Sequence, residues 1–115
     1  MSVQQWIQVC DQQQLLANAG VTALIGEQQV AVFYVPANDQ VFAVDNLDPV
    51  TGAQVMARGL IGSQGEQMYV ASPLLKQRYC LHTGQGLDDD AQRLNNWPVR
   101  LNDGMVEVAL EAASA

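Results

Sequence analysis

Cys80 and His82 are the side chains of this sequence best suited to binding a metal ion. Residues two apart on a strand point to the same face, so both could contact one metal. A zinc ion, however, takes four protein ligands, or three and a water molecule. Cys10 is the only other cysteine, and the spacing does not place it near the pair. We therefore expect no metal here, and interpret the pair as a buried strand cysteine followed by a turn histidine.

Other patterns of catalytic or ligand-binding chemistry are missing. Asp88 to Asp90 form an acidic run, but no Asp-x-Asp-x-Asp-Gly loop with a distal glutamate surrounds it, so a solvated turn is expected rather than a calcium site. The sequence has neither a glycine-rich phosphate loop nor a nucleophile turn. We expect no catalytic, cofactor-binding or metal-binding residues in this chain.

Charge and composition limit the partners. The net charge is −7, with five lysines and arginines against twelve acids, and such a surface repels phosphate backbones, so nucleic acid is not expected. No apolar run approaches the roughly 18 residues of a membrane helix, and the start does not resemble a signal peptide. These features favour a cytoplasmic protein without a membrane partner. Two cysteines make no disulfide framework, so Cys10 and Cys80 are predicted to be free and buried.

Short alternating segments separated by turn residues predict an all-β sandwich or barrel. The 115 residues suffice for a single domain over 1–115, with a frayed tail at about 111–115. One hairpin is expected around Gly26-Glu27-Gln28, and another at Asn102-Asp103-Gly104, where glycine supplies a positive φ. The predicted strands cover 6–10, 21–26, 29–35, 40–46, 66–72, 77–81 and the two arms of 98–110.

Three further segments complete the prediction. Asp11 followed by Gln14 suits a capping box, and Gly20 suits a helix C-terminus, so one short helix is expected between them. Residues 36–39 are predicted to form a turn. Residues 47–65 are expected to be irregular.

Two segments are similar to the cluster-binding loops of Rieske iron–sulfur domains. "DPVTG" at residues 48–52 is similar to the first loop, C-P-H-x-G, and "SPLLKQRY" at residues 72–79 is similar to the second, C-P-x-H-G-x-x-F. Both prolines, one glycine and the closing aromatic residue are retained. The resemblance implies a Rieske-type [2Fe-2S] fold that spans nearly the whole chain.

The residues that would bind the cluster are replaced. A Rieske centre needs two thiolates on one iron and two imidazoles on the other. None of the four matching positions carries cysteine or histidine: Asp48, Val50, Ser72 and Leu75. We therefore expect a Rieske-type fold without a cluster.

The retained loop frame with lost ligands resembles one family, the small subunit of cytoplasmic NAD(P)H-dependent assimilatory nitrite reductase. "FAVDNLDP", "ARGLI" and "VASPLLKQRY" carry this likeness. The resemblance implies an accessory role in reducing nitrite to ammonium during nitrate assimilation. It also implies a large flavoprotein subunit as the partner, with FAD, sirohaem and an iron–sulfur cluster bound to that subunit. This chain alone would be inactive.

The second loop suggests where the partner binds. An apolar patch with cations beside it is a plausible docking surface, and we expect Leu74, Lys76 and Arg78 to form it, with Arg58 either joining them or pairing with a carboxylate. The two loops should meet at one end of the domain. Val50 and Leu75 are expected to fill the space of the cluster as an apolar plug. Two other functions stay open: a ligandless Rieske-like module of another reductase or oxygenase, and a free ferredoxin-like electron carrier.

Overall fold

The computed structural model describes residues 5–36 and 39–109. Within these ranges the chain is built from antiparallel strands and short 3-10 turns, as the alternating sequence predicts. The turns are Gln12–Gln14 and Met56–Arg58. The strands are β1 (Trp6–Asp11), β2 (Gly20–Ile25), β3 (Gln28–Val35), β4 (Gln40–Asp45), β5 (Leu60–Gln64), β6 (Gln67–Ala71), β7 (Arg78–Cys80), β8 (Asn96–Trp97), β9 (Val99–Asn102) and β10 (Met105–Ala109).

The strands form three sheets, with orders β1-β10-β9, β2-β3-β4-β8 and β5-β6-β7. The four-stranded sheet contributes to both apolar cores because alternate side chains of β3 point to opposite faces. Val30 and Val32 pack with Val106 and Val108 of β10, whereas Phe33 packs with residues of β6 and β7. The predicted all-β architecture is confirmed, with the four-stranded sheet in the middle.

Both predicted hairpins are present. β2 and β3 are joined across Gly26, whose φ of 62° is in the left-handed region that glycine adopts at little cost. β9 and β10 are joined by Asp103 and Gly104, with φ angles of 53° and 77°. Two successive positive φ angles characterise the type I′ turn, whose twist matches that of the flanking strands.

The predicted helix after Asp11 is mostly wrong. The capping box is present, because Asp11 accepts a hydrogen bond from Gln13 N at 2.9 Å and Gln14 Oε1 accepts one from Asp11 N at 2.8 Å. The helix nevertheless ends after a single 3-10 turn. Gly20 begins β2 instead of ending a helix, and a Cβ there would lie 2.3 Å from the Ala57 carbonyl oxygen. Glycine at this position therefore allows two backbone segments to pack closely.

The stretch 47–65, which we predicted to be irregular, contains β5. Its sequence, LIGSQ, has no clear alternation, and it forms a strand because residues Leu60–Gln64 pair with β6. The predicted turn at 36–39 lies partly outside the described residues, and the predicted frayed tail lies entirely outside them. In the part of the chain that is described, no helix has the length and apolarity needed to cross a membrane.

Candidate functional site

Two loops have the same backbone hydrogen-bond pattern. The first loop, residues 46–55, follows β4, and the second loop, residues 72–77, joins β6 to β7. In each loop, one residue donates its N–H to a carbonyl five residues later and accepts from an N–H four residues later. The bonds are Asp48 N to Ala53 O (2.8 Å), Gly52 N to Asp48 O (2.8 Å), Ser72 N to Gln77 O (2.8 Å) and Lys76 N to Ser72 O (2.9 Å).

The side chains of Asp48 and Ser72 stabilise their own loops in the same way. Asp48 Oδ1 accepts a hydrogen bond from Val50 N at 2.9 Å, and Ser72 Oγ accepts one from Leu74 N at 3.3 Å. Short polar side chains that bond the backbone two residues ahead are typical of Asx and Ser turns. The loops are thus two versions of one turn.

Asp48 and Ser72 also bond to each other. The Ser72 hydroxyl donates to Asp48 Oδ2 at 2.6 Å, the length of a charge-assisted O–H···O⁻ bond, and both residues are 1% exposed. Burial raises the pKa of Asp48, but the hydrogen bonds from Ser72, Val50 and Thr51 lower it further, so the net pKa lies below the ordinary 3.8. We call Asp48 and Ser72 the cross-loop pair. The prediction that the two loops meet is confirmed.

The glycine positions of the two loops differ. Gly52 lies four residues after Asp48, and Lys76 lies four residues after Ser72. Their φ angles are 78° and 63°, both in the left-handed region. The left-handed conformation is unfavourable for a lysine. The second loop therefore keeps its turn although it lacks the glycine, because the bonds to Ser72 hold it.

Asn46 anchors the start of the first loop, a role that no pattern in the sequence indicates. It is 2% exposed, and its side chain donates to Gln29 Oε1 at 3.0 Å and accepts from Ala57 N at 2.7 Å. Its backbone bonds to Gln29 and Met56 as well. One buried amide thus connects β3, the first loop and the following 3-10 turn.

The four positions that match Rieske ligands do not fit a [2Fe-2S] cluster. Val50 and Leu75 have no donor atom at all. The oxygens of Asp48 and Ser72 are already hydrogen-bonded to each other and to their own loops. Since the cluster needs thiolates and imidazoles, the residues present cannot bind it.

The expectation that Val50 and Leu75 form a buried plug is wrong. Val50 is 40% and Leu75 is 54% exposed, because the buried space between the loops is taken by the polar cross-loop pair. Apolar side chains of both loops face outward instead. We call them the loop-tip surface: Leu47, Val50, Leu74 and Leu75.

Two more exposed leucines lie at the same end of the molecule. Leu60 is 77% exposed and pairs with Ala71, the residue before the second loop. Leu24 is 67% exposed and pairs with Gln29, whose carbonyl accepts from Asn46 N. Among the described residues, six of the seven exposed large hydrophobic side chains therefore lie in the two loops or on strand residues near them, and Leu16 is the exception.

The cations near the loops differ in their contacts. Lys76 is exposed at the tip of the second loop, and Arg58 is exposed at the end of its 3-10 turn. Arg78 is instead engaged: its guanidinium lies 2.8 Å from Asp88 Oδ1 and 5.4 Å from the centre of the Tyr69 ring. Within residues 5–36 and 39–109, Arg58 and Lys76 have no salt bridge.

The other candidate ligands of the sequence are dispersed. Cys80 is free and buried on β7, as predicted, whereas Cys10 is free but only half-buried on β1, in another sheet. His82 is exposed, and its ring packs edge-on against Phe42. The described residues contain no group of three or more side chains that could hold a metal ion.

Comparison with known proteins agrees with this geometry. A family model described as the Rieske-like [2Fe-2S] domain matches residues 5–109. The nitrite reductase (NADH) small subunit of Escherichia coli K12 is 39% identical over 104 residues, which cover 90% of this chain and 96% of that protein. The chain belongs to the Rieske-like domain family and, within it, to the nitrite reductase small subunits. The family predicted from the two loops is thereby confirmed.

Two further matches extend this assignment. A crystal structure described as an NADH-dependent nitrite reductase small subunit from Mycobacterium tuberculosis has a TM-score of 0.90 and 37% identity, and the match covers 96% of this chain and 99% of that one. A nitrite reductase [NAD(P)H] large subunit from Klebsiella oxytoca is 42% identical over 103 residues. That match covers 90% of this chain but 11% of the Klebsiella protein, so a domain of this family is also found within a much longer chain.

Proposed function

We propose that this chain is the non-catalytic small subunit of a cytoplasmic NAD(P)H-dependent nitrite reductase and that it binds the large subunit. The match to the Klebsiella large subunit carries the proposal, because there the same domain is part of the large-subunit chain. A domain that occurs fused to the large subunit in one protein is well suited to associate with it as a separate chain in another.

The loop-tip surface is the proposed contact. Exposed apolar clusters with polar surroundings are typical of protein interfaces, and Leu74 and Leu75 are about half exposed. Lys76 lies next to them at the tip, on a protein with a net charge of −7. We propose that Leu74 is buried on binding and that Lys76, with Arg58 at the edge, meets acidic groups of the partner. Arg78 contributes through its pair with Asp88, which holds the end of the second loop.

The chemistry is assigned to the large subunit. In this proposal FAD, sirohaem and an iron–sulfur cluster are bound there, and nitrite is reduced to ammonium there. The small subunit supplies a binding surface, because its Rieske-type loops carry no ligand for a cluster.

Reconstitution tests the proposal. The purified chain is titrated with the nitrite reductase large subunit of the same organism, and nitrite consumption is measured with reduced viologen as the electron donor. We expect saturable binding, with nitrite turnover only when the large subunit is present. Turnover by the isolated chain would refute the accessory role, and absence of binding would refute the assignment of the partner.

The two other functions are tested separately. Anaerobic treatment of the chain with iron and sulfide should give no visible absorption, since no thiolate or imidazole is available in the loops. A stoichiometric two-iron signal would restore the ferredoxin-like carrier. Capture of a different reductase or oxygenase, with no affinity for the nitrite reductase large subunit, would support the module of another enzyme.

A further inference from the structure

We infer that Asp48 and Ser72 are positioning residues whose hydrogen bond holds the two loops in the arrangement that binds the large subunit. This inference rests on the proposed function, and it assigns a role to the pair itself. Among the described residues, the bond from Ser72 Oγ to Asp48 Oδ2 is the only hydrogen bond that joins residues 47–53 to residues 72–77. The relative placement of the two halves of the loop-tip surface depends on it.

Each member of the pair also controls the apolar residues of its own loop. Asp48 Oδ1 accepts from the backbone of Val50, and Ser72 Oγ accepts from the backbone of Leu74. The exposed apolar side chains are therefore no more than three residues away from Asp48 or Ser72 in the sequence. Loss of the pair would therefore release the apolar side chains as well as separate the loops.

Burial gives the bond its strength. Both residues are 1% exposed, so water does not readily replace a lost partner, and a carboxylate without a partner is costly in such a site. Leu74 and Leu75, in contrast, are about half exposed, so packing restrains their side chains less. A surface fixed before binding loses less conformational entropy when the partner arrives, which increases affinity.

The experiment compares Ser72→Ala, Asp48→Asn and the control Ser63→Ala. Ser63 is an exposed serine of β5, in the three-stranded sheet whose strands β6 and β7 are joined by the second loop. Its hydroxyl has no hydrogen bond among the described residues. Asp48→Asn keeps a side chain that can bond both the first loop and the Ser72 hydroxyl. Amide hydrogen exchange is measured on each isolated variant, and affinity is measured by titration with the large subunit.

We expect Ser72→Ala to accelerate exchange in both loops, including Asp48 and Gly52 of the first, and to lower affinity about tenfold. A purely local role would affect only the second loop. Asp48→Asn should lose less affinity than Ser72→Ala, and Ser63→Ala should match the wild type.

Two results overturn the inference. Unchanged exchange of Asp48 and Gly52 in Ser72→Ala shows that the bond does not couple the loops. Faster exchange with unchanged affinity shows that the coupled loops do not position the binding surface. If the wild-type chain does not bind the large subunit at all, the proposed function fails, whereas the exchange of Asp48 and Gly52 still decides whether the pair couples the loops.

Discussion

Two regions of the molecule, the interior beside β10 and the two loops, are built in opposite ways. Between the four-stranded sheet and β10 the interior is apolar, and Val30, Val32, Val106 and Val108 are fully buried. At the loop end a carboxylate and a hydroxyl are buried, and leucines are exposed. Hydrophobic burial dominates in the first region, whereas hydrogen bonds to the buried cross-loop pair contribute in the second.

This difference separates the part of the chain that maintains the fold from the part that we propose as the contact with the large subunit. Leu74 and Leu75 leave about half of their surface in water, and that exposed part adds nothing to the stability of the isolated domain. A buried carboxylate is tolerable only because its oxygens are bonded. Under the proposed function, the large subunit would cover these apolar side chains.

The largest expected effect concerns the buried polar groups. Asp48→Ala removes the acceptor of three hydrogen bonds, so we expect the free energy of unfolding to fall by about 2 to 3 kcal/mol. Thermal or urea unfolding measures it. The control is Asp90→Ala, because Asp90 is an exposed acid in the turn region after β7. It should change the free energy of unfolding by less than about 0.5 kcal/mol. Equal effects of the two substitutions would show that the cross-loop pair does not stabilise the loop end.

The next effect concerns the exposed leucines. Leu74→Asp places a charge in the proposed interface, and we expect affinity for the large subunit to fall about thirtyfold or more, as for a central interface residue. The matched control is Leu16→Asp. Leu16 is 60% exposed, and its neighbour Ala17 bridges to Tyr34 at the end of β3. Asn46 bonds to the opposite end of β3, so Leu16 is distant from the first loop. Melting curves should show both variants folded; similar losses of affinity would remove the distinction between the two ends.

The charge beside the leucines should matter less. Lys76→Glu is expected to weaken binding a few-fold at low salt, because charges at the rim of an interface act mainly on encounter. The difference from the wild type should shrink between 50 and 500 mM salt, since screening shortens the range of exposed charges to about 10 Å or less. A deficit independent of salt would mean that Lys76 acts through the backbone of the second loop.

The smallest effect is a dependence on pH. The pKa of Asp48 is lower in the folded chain than its ordinary 3.8, so its stabilising contribution is complete above that value and is lost as pH falls through the folded pKa. The stability of wild type relative to Asp48→Asn should therefore be constant from pH 7 to 5 and decline below about pH 4. The pairs of Glu107 and Asp88 are common to both proteins and cancel. A constant difference down to pH 2.5 would contradict the ionised pair.

The sequence predicted the hairpins and the family because those signals are local. The turn at Gly104 is determined by its neighbouring residues alone. The loop frames are likewise recognised from short spacings around Pro49 and Pro73. β5 was missed because its strand form comes from pairing with β6. The helix predicted after Asp11 was too long, because the capping box determines only the first turn.

The site was predicted only in part for a similar reason. The Rieske-like loop pattern predicted that the cluster ligands are lost and that the two loops meet. It did not predict which side chains of the loops are buried and which are exposed. Whether Leu75 turns inward depends on what fills the space between the loops, and the bond from Ser72 to Asp48, 24 residues apart, cannot be read from spacing. The engagement of Arg78 by Asp88 likewise becomes visible only when β7 and the following turn are in place.

Protection of backbone amides on complex formation shows whether the two loops contact the large subunit. Hydrogen exchange of the wild-type chain is measured alone and with saturating large subunit. If the loop-tip surface contacts the large subunit, exchange should slow in residues 46–53 and 72–77 and stay unchanged around Leu16 and in the Asp103-Gly104 hairpin turn. Protection confined to the turn and the Leu16 region, with the two loops unchanged, would contradict this proposal.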